Sequence, residues 1–242
     1  MRITVLGSAA CVPEVGNDSA HYLINNSILI DTAWNAAGNL RDAGCDYSTL
    51  HTLLFTHTHH DHIIGLAGYL FDYRDKNGQL GTLHIYGPEE TAETVRRAMD
   101  CMQFERFYGK EVGAPTVHIL TPGDELTVDG LHIQTLAACH PVPALSYRIT
   151  DDHSSVGFTG DTLLTAEQPA FFAGCDLLFS ECSFGLKSSE EAKREYGHLD
   201  LEDAKIIAKD VKHLAIVHLR AETRAIMPEG TDCPIKGRVY EL

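Results

Sequence analysis

Thr56-His57-Thr58-His59-His60-Asp61-His62 sets five metal-binding side chains within seven residues. It follows the apolar run 53–55 and precedes a segment, 63–73, of helical length and composition. On an extended strand residues i and i+2 share a side, so His57 and His59 can converge on a single ion. As the chain turns into a helix, Asp61 and His62 are directed elsewhere, which is the geometry for a second ion close by. His60 alternates away from His57 and His59 and is left out. Imidazole with carboxylate suits zinc, manganese or iron better than calcium.

A dinuclear site needs more ligands than this loop holds, and other strand ends supply candidates. His140 follows the apolar run 131–138, Asp161 lies in Phe158-Thr159-Gly160-Asp161-Thr162, and His218 caps the run 214–217. Asp161 is the natural bridge, because a carboxylate can span two cations that also keep it ionised. The competing reading is a His-rich surface loop without metal. Four ligand residues within six positions, with three more at strand ends, argue against it. His21, His51, His84, His118, His132, His153 and His213 lie in expected strands or turns without ligand company and carry no chemistry in this reading.

Outward from the cluster, strand signals fall at 3–6, 22–24, 27–30, 53–55 and 83–86, with Asn25-Asn26 as a hairpin turn. Pro88 opens a helix running to about residue 102. Strands return at 117–120, 125–128, 131–136, 145–149, 155–158, 177–180 and 214–217, with Asp129-Gly130 as a second hairpin turn. Residues 200–211 have helical spacing. Two β blocks, each trailed by helices, predict packed sheets with helices outside, an α/β layered sandwich. Residues 69–82 and 99–116, with Phe71, Tyr73, Met102, Phe104, Phe107 and Tyr108, could form a lid, a homodimer contact or plain core. The tail 238–242 reads as an added edge strand.

A chain of 242 residues, 44% hydrophobic and 22% charged, can bury a core without disulfides, which excludes a stapled mini-protein and wholesale disorder. No linker, repeat or low-complexity tract interrupts it, so a single domain over 1–242 is expected. No apolar run reaches membrane length and the N-terminus reads as a strand, so the expectation is a soluble cytoplasmic protein with no membrane partner. Seven scattered Cys with no CxxC pair suggest reduced thiols. A net charge of −15 has the wrong sign for a broad nucleic-acid surface. The basic group Lys187, Lys193 and Arg194 reads as a solvated helix face.

His57, His59, Asp61 and His62 match the His-x-His-x-Asp-His signature, and the sequence resembles the metallo-β-lactamase superfamily. The resemblance implies a four-layer αββα sandwich and two divalent metal ions, zinc first, with manganese or iron as alternatives. It further implies His57, His59 and His140 on one ion, Asp61, His62 and His218 on the other, and Asp161 bridging. Within the superfamily the chain is similar to the ribonuclease Z branch, through Leu6-Gly7-Ser8-Ala9-Ala10-Cys11-Val12-Pro13, Gly65-Leu66-Ala67-Gly68, the 177–184 strand with its Glu181, and Gly197-His198-Leu199-Asp200. The catalytic set so implied is Asp61, Glu181 and His198. In contrast to ribonuclease Z proper, about 36 residues separate Asp161 from His198, too few for the long arm that grips transfer RNA.

The expected chemistry is metal-dependent hydrolysis of a small-molecule or nucleotide-type phosphodiester rather than of transfer RNA. A water acidified by two cations would attack, and His198, steered by Glu181, would protonate the leaving oxygen. Hydrolysis of a carboxylic ester, thioester, lactone or lactam is the alternative. A non-catalytic metal-binding protein or a redox di-iron protein is the third reading. The resemblance argues against the redox reading, since redox members of the superfamily tend to carry a glutamate where His59 stands and a flavin domain, neither of which is expected here. A set of seven His/Asp ligands also differs from four-coordinate, Cys-rich structural zinc.

Overall fold

Apolar runs without an alternating polar face need cover on both sides. In the computed structural model, which describes residues 1–242, they receive it. The strands are β1 (Arg2–Ala9), β2 (Asp18–Ser19), β3 (His21–Ile24), β4 (Ile28–Ile30), β5 (Thr52–Leu54), β6 (His84–Gly87), β7 (Thr116–Ile119), β8 (Glu125–Val128), β9 (Leu131–Ala137), β10 (Leu145–Thr150), β11 (Ser155–Phe158), β12 (Leu177–Glu181), β13 (Leu214–Val217) and β14 (Val239–Glu241). They form two mixed sheets, ordered β14-β1-β3-β4-β5-β6-β7, with β2 on β1, and β13-β12-β11-β10-β9-β8. The helices are α1 (Ala36–Asp42), α2 (His60–Ile63), α3 (Leu66–Asn77), α4 (Thr91–Met102), α5 (Phe104–Tyr108), α6 (Gln168–Phe172), α7 (Glu190–Tyr196), α8 (Leu201–Ile207) and α9 (Ala221–Ala225).

Successive residues of one strand face opposite layers. Tyr22, Ile24, Ile28, Ile30 and Leu54 point between the sheets and meet Tyr147, Ile149, Phe158 and Phe179. Their neighbours Leu23, Leu29 and Leu53 face the other way, packing with Leu40 of α1 and Leu66, Tyr69 and Leu70 of α3. Across the molecule Leu178 packs outward with Phe172 of α6 and Ile207 of α8. The result is the layered α/β sandwich that the strand and helix pattern predicts, in the αββα form that the resemblance implies. Both hairpin turns also form where predicted: Asn25, Asn26, Asp129 and Gly130 all adopt positive φ, as tight two-residue connections require.

The departures have local causes. The helix expected over 63–73 is two, α2 and α3, separated at Gly65. A Cβ at Gly65 would collide with the carbonyl oxygen of Ala33, so this glycine serves close approach. The helices α1, α6, α7 and α9 are five to seven residues long, too short to leave a periodic signature. Of the aromatic residues in 69–82 and 99–116, Tyr73 and Phe104 are buried in core, whereas Phe71 and Phe107 are exposed. The tail strand β14 pairs antiparallel with β1 at a sheet edge, as expected. No helix is long and apolar enough to cross a membrane.

Lys193 corrects the expectation of a solvated basic face. It is buried on α7, and its ammonium donates to Asp203 at 2.7 Å and pairs with Glu190 at 2.6 Å and Asp200 at 3.4 Å. Asp200 and Asp203 in turn cap α8 reciprocally, so this one cation ties α7 to the start of α8. A run of basic residues cannot reveal which of them meets carboxylates brought in by the next helix. Removing one partner leaves buried charge uncompensated. Lys193→Met should therefore lower unfolding stability by about 3 kcal/mol. Urea denaturation checks this, and an unmoved midpoint would reject it.

Candidate metal centre

The parallel pairings of β4 with β5, of β11 with β12 and of β12 with β13 bring their C-terminal ends to one edge of the sandwich. Asp31, His57, Asp161, Glu181 and His218 all lie at or just beyond those ends. Strand β5 stops at Leu54, so His57 and His59 stand past the ladder rather than on it, and Asp61 and His62 lie on α2. All seven residues proposed from the sequence converge. The donor atoms of His57, His59 and His140 lie within 4.8 Å of one another, as do those of Asp61, His62, Asp161 and His218. His60 is exposed and stays outside both sets, as expected.

Asp161 stands between the two sets. Its Oδ2 is 3.7 Å from His57 Nε2, 3.6 Å from His62 Nε2 and 3.4 Å from His218 Nε2. His140 Nε2 and His59 Nδ1 face each other at 2.9 Å, and His218 Nε2 lies 3.2 Å from Asp61 Oδ2. Burial opposes charge on Asp61 and Asp161, but the surrounding imidazoles, His62 and His218 foremost, hold both carboxyls well below the usual carboxylate range. His57 Nε2 and His62 Nε2 are buried with no hydrogen-bond partner. Buried polar atoms are seldom left so, and a cation would satisfy both. The residues present therefore fit divalent metal binding.

Four of the five rings are turned toward the cluster by what holds their other nitrogen. His62 Nδ1–H donates to Asp31 at 2.8 Å. His57 Nδ1–H donates to the Thr56 hydroxyl at 3.1 Å, which donates to the same Asp31 oxygen at 2.8 Å. On the opposite sheet His218 Nδ1–H donates to the Ser183 hydroxyl at 2.7 Å, and that hydroxyl donates to Glu181 at 2.8 Å. His140 Nδ1–H donates to the Gly197 carbonyl at 2.9 Å. His218 itself sits at φ 57°, a strained conformation, with its N–H bonded to the Ser8 carbonyl at 2.8 Å.

Asp31, Thr56 and Ser183 were not anticipated. Asp31 ends an apolar run much as Asp161 does, and that was its available signal. Partners of this kind fix tautomer and raise ligand basicity. Asp31→Asn should weaken metal affinity about 10- to 100-fold. Competition against a chromophoric chelator measures it, and wild-type affinity would contradict the role.

Glu181 and His198 form a separate unit against the second set. Glu181 accepts from His198 Nδ1 at 2.9 Å, from the Thr162 and Leu199 N–H groups at 3.1 Å each, and from Ser183 N–H at 3.0 Å. Its oxygens are so fully engaged that it acts as an anchor for His198 rather than as an open ligand. Burial works to lower the His198 pKa, but Glu181 overrides it and raises the value to about 9. Among the remaining histidines, His84 and His118 meet at 3.0 Å across the adjacent strands β6 and β7, and neither joins a ligand set.

Residues 26–219 match the family described as "Beta-lactamase superfamily domain". A probable metallo-hydrolase, YhfI, of Bacillus subtilis strain 168 is 27% identical over 228 residues, covering 90% of this chain and 87% of that protein. A ribonuclease Z of Streptomyces avermitilis is 24% identical over an alignment of 265 residues, covering 90% and 86%. The crystal structure of the short form of human tRNase Z superposes with a TM-score of 0.82 at 17% identity, over 100% of this chain and 99% of that one, a likeness of fold. The family match runs through the histidine cluster, Asp161 and His218 on an αββα frame, and the chain belongs to the beta-lactamase superfamily.

Proposed function

We propose that this protein is a dinuclear metal-dependent phosphodiesterase acting on a small or nucleotide-type phosphodiester. The observation that carries the reading is the Glu181–His198 pair, held at 2.9 Å against the second ligand set. His57, His59 and His140 would hold one ion, Asp61, His62 and His218 the other, with Asp161 between them. Five imidazoles and two carboxylates favour zinc, with manganese or iron as alternatives. Such cations, when bound, supply the acidity that ionises water and the positive charge that neutralises phosphoryl oxygens.

The chain's own residues complete the reaction. Asp31, Thr56 and Ser183 set the ring nitrogens before substrate arrives. Glu181 holds His198 by Nδ1, which leaves Nε2 to deliver a proton to the departing oxygen. Glu181 raises the His198 pKa, which favours a proton on that ring. Carbonyl esters with good leaving groups have little need of such an acid, whereas an alkoxide leaving phosphorus does.

Relatives named ribonuclease Z support cleavage of phosphodiesters. A net charge of −15 and the filling of 165–198 by α6, β12 and α7 favour a small substrate over folded RNA. Seven unpaired cysteines support a reducing, cytoplasmic setting. A panel of bis(p-nitrophenyl) phosphate, cyclic nucleotides and lactones, assayed with zinc or manganese, tests the reading. Turnover of the diesters is expected; activity confined to lactones would replace it with a carbonyl hydrolase.

A further inference from the structure

Trp34 is the chain's one tryptophan, and 45% of its surface is exposed. The two residues ahead of it, Thr32 and Ala33, are clamped to the cluster segment. Thr32 N–H donates to the His62 carbonyl at 2.7 Å, and Gly65 N–H donates to the Thr32 carbonyl at 3.0 Å. Gly65 also admits the Ala33 carbonyl where any side chain would clash. The ring is pinned as well, since its Nε1–H donates to the Cys11 carbonyl at 3.1 Å. It meets the His60 ring at 6.1 Å between centroids, at 82°, and His60 Nδ1 lies 3.9 Å from Asp61 Oδ1.

An indole normally gains by burial, so one left half-open while its ring and the residues ahead of it are held is a prepared surface. Its N–H is already spent on Cys11, and what remains to offer is a π face. Such a face takes a planar aromatic ring and is indifferent to that ring's hydrogen-bond pattern. A planar nucleobase can cover such a face with its whole ring, whereas a sugar or alkyl phosphate meets it only through C–H groups.

We propose that Trp34 is the platform on which the substrate's base stacks, so that the diester cleaved is one carrying a nucleoside. The inference rests on the phosphodiesterase reading above and narrows it. Trp34 would be a specificity residue, binding the base while the ligand cluster and His198 address the phosphate.

Because no other tryptophan contributes, fluorescence excited at the red edge, beyond the absorption of the nine tyrosines, reports Trp34 alone. In zinc-containing buffer, thymidine 5′-monophosphate should quench it saturably and ribose 5-phosphate should not. In kinetics, thymidine 5′-(p-nitrophenyl phosphate) and methyl p-nitrophenyl phosphate share a leaving group and differ in the nucleoside. Trp34→Ala should lower the ratio of their kcat/KM values about tenfold, mainly through KM, and Trp34→Tyr should restore most of it. Equal quenching by both ligands with an unaltered ratio would overturn the platform while leaving phosphodiester hydrolysis in place. If the wild type hydrolyses neither diester, the phosphodiesterase reading falls and this inference with it.

Discussion

Asp161→Asn should reduce kcat/KM by at least about a thousandfold, equivalent to about 4 kcal/mol of transition-state stabilisation. It should also leave the purified protein with fewer than two metal ions per chain. Asp161 Oδ2 lies within 3.4–3.7 Å of His57, His62 and His218, which belong to both sets of donors. Asparagine preserves the volume but removes the negative charge, so cations close together would lose the anion that offsets their repulsion. Metal analysis after dialysis, alongside diester kinetics, measures both effects. Two ions per chain with activity within tenfold of wild type would show that Asp161 is not the bridge.

His198→Ala should behave differently, keeping its metals while turnover becomes dependent on the leaving group. For a diester that releases a sugar alkoxide, loss of the proton donor is expected to cost about a hundredfold to ten-thousandfold in kcat. For one that releases p-nitrophenolate, which needs little protonation, the loss should stay within about tenfold. The selectivity follows from position: His198 Nδ1 is spent on Glu181, and only Nε2 is available to substrate. Equal losses on both substrates would instead point to a structural role for the pair.

Legibility in the sequence differed from residue to residue. His57, His59, Asp61 and His62 could be read because their spacing is contiguous and alternation is a local property of an extended chain. His140, Asp161 and His218 could be read because each interrupts an apolar run with a donor atom. Asp31 and Ser183 act on His62 and His218 from 31 and 35 positions away, a pairing that no window of sequence contains. Lys193 looked like surface because its carboxylate partners arrive from the following helix. Trp34 went unremarked because a lone aromatic has no period; its meaning lies in its half-exposure beside His60.

The sequence by itself determined the layered class and which donor-bearing residues were available, since strand periodicity and residue chemistry are properties of short segments. Tertiary structure alone decided which nitrogen of each imidazole faces the cluster, what holds the other nitrogen, and that the indole stays half-exposed beside His60. Those outcomes depend on hydrogen-bond partners and contacts drawn from distant strands, and they exist only once the parallel strand ends are gathered at one edge of the sandwich.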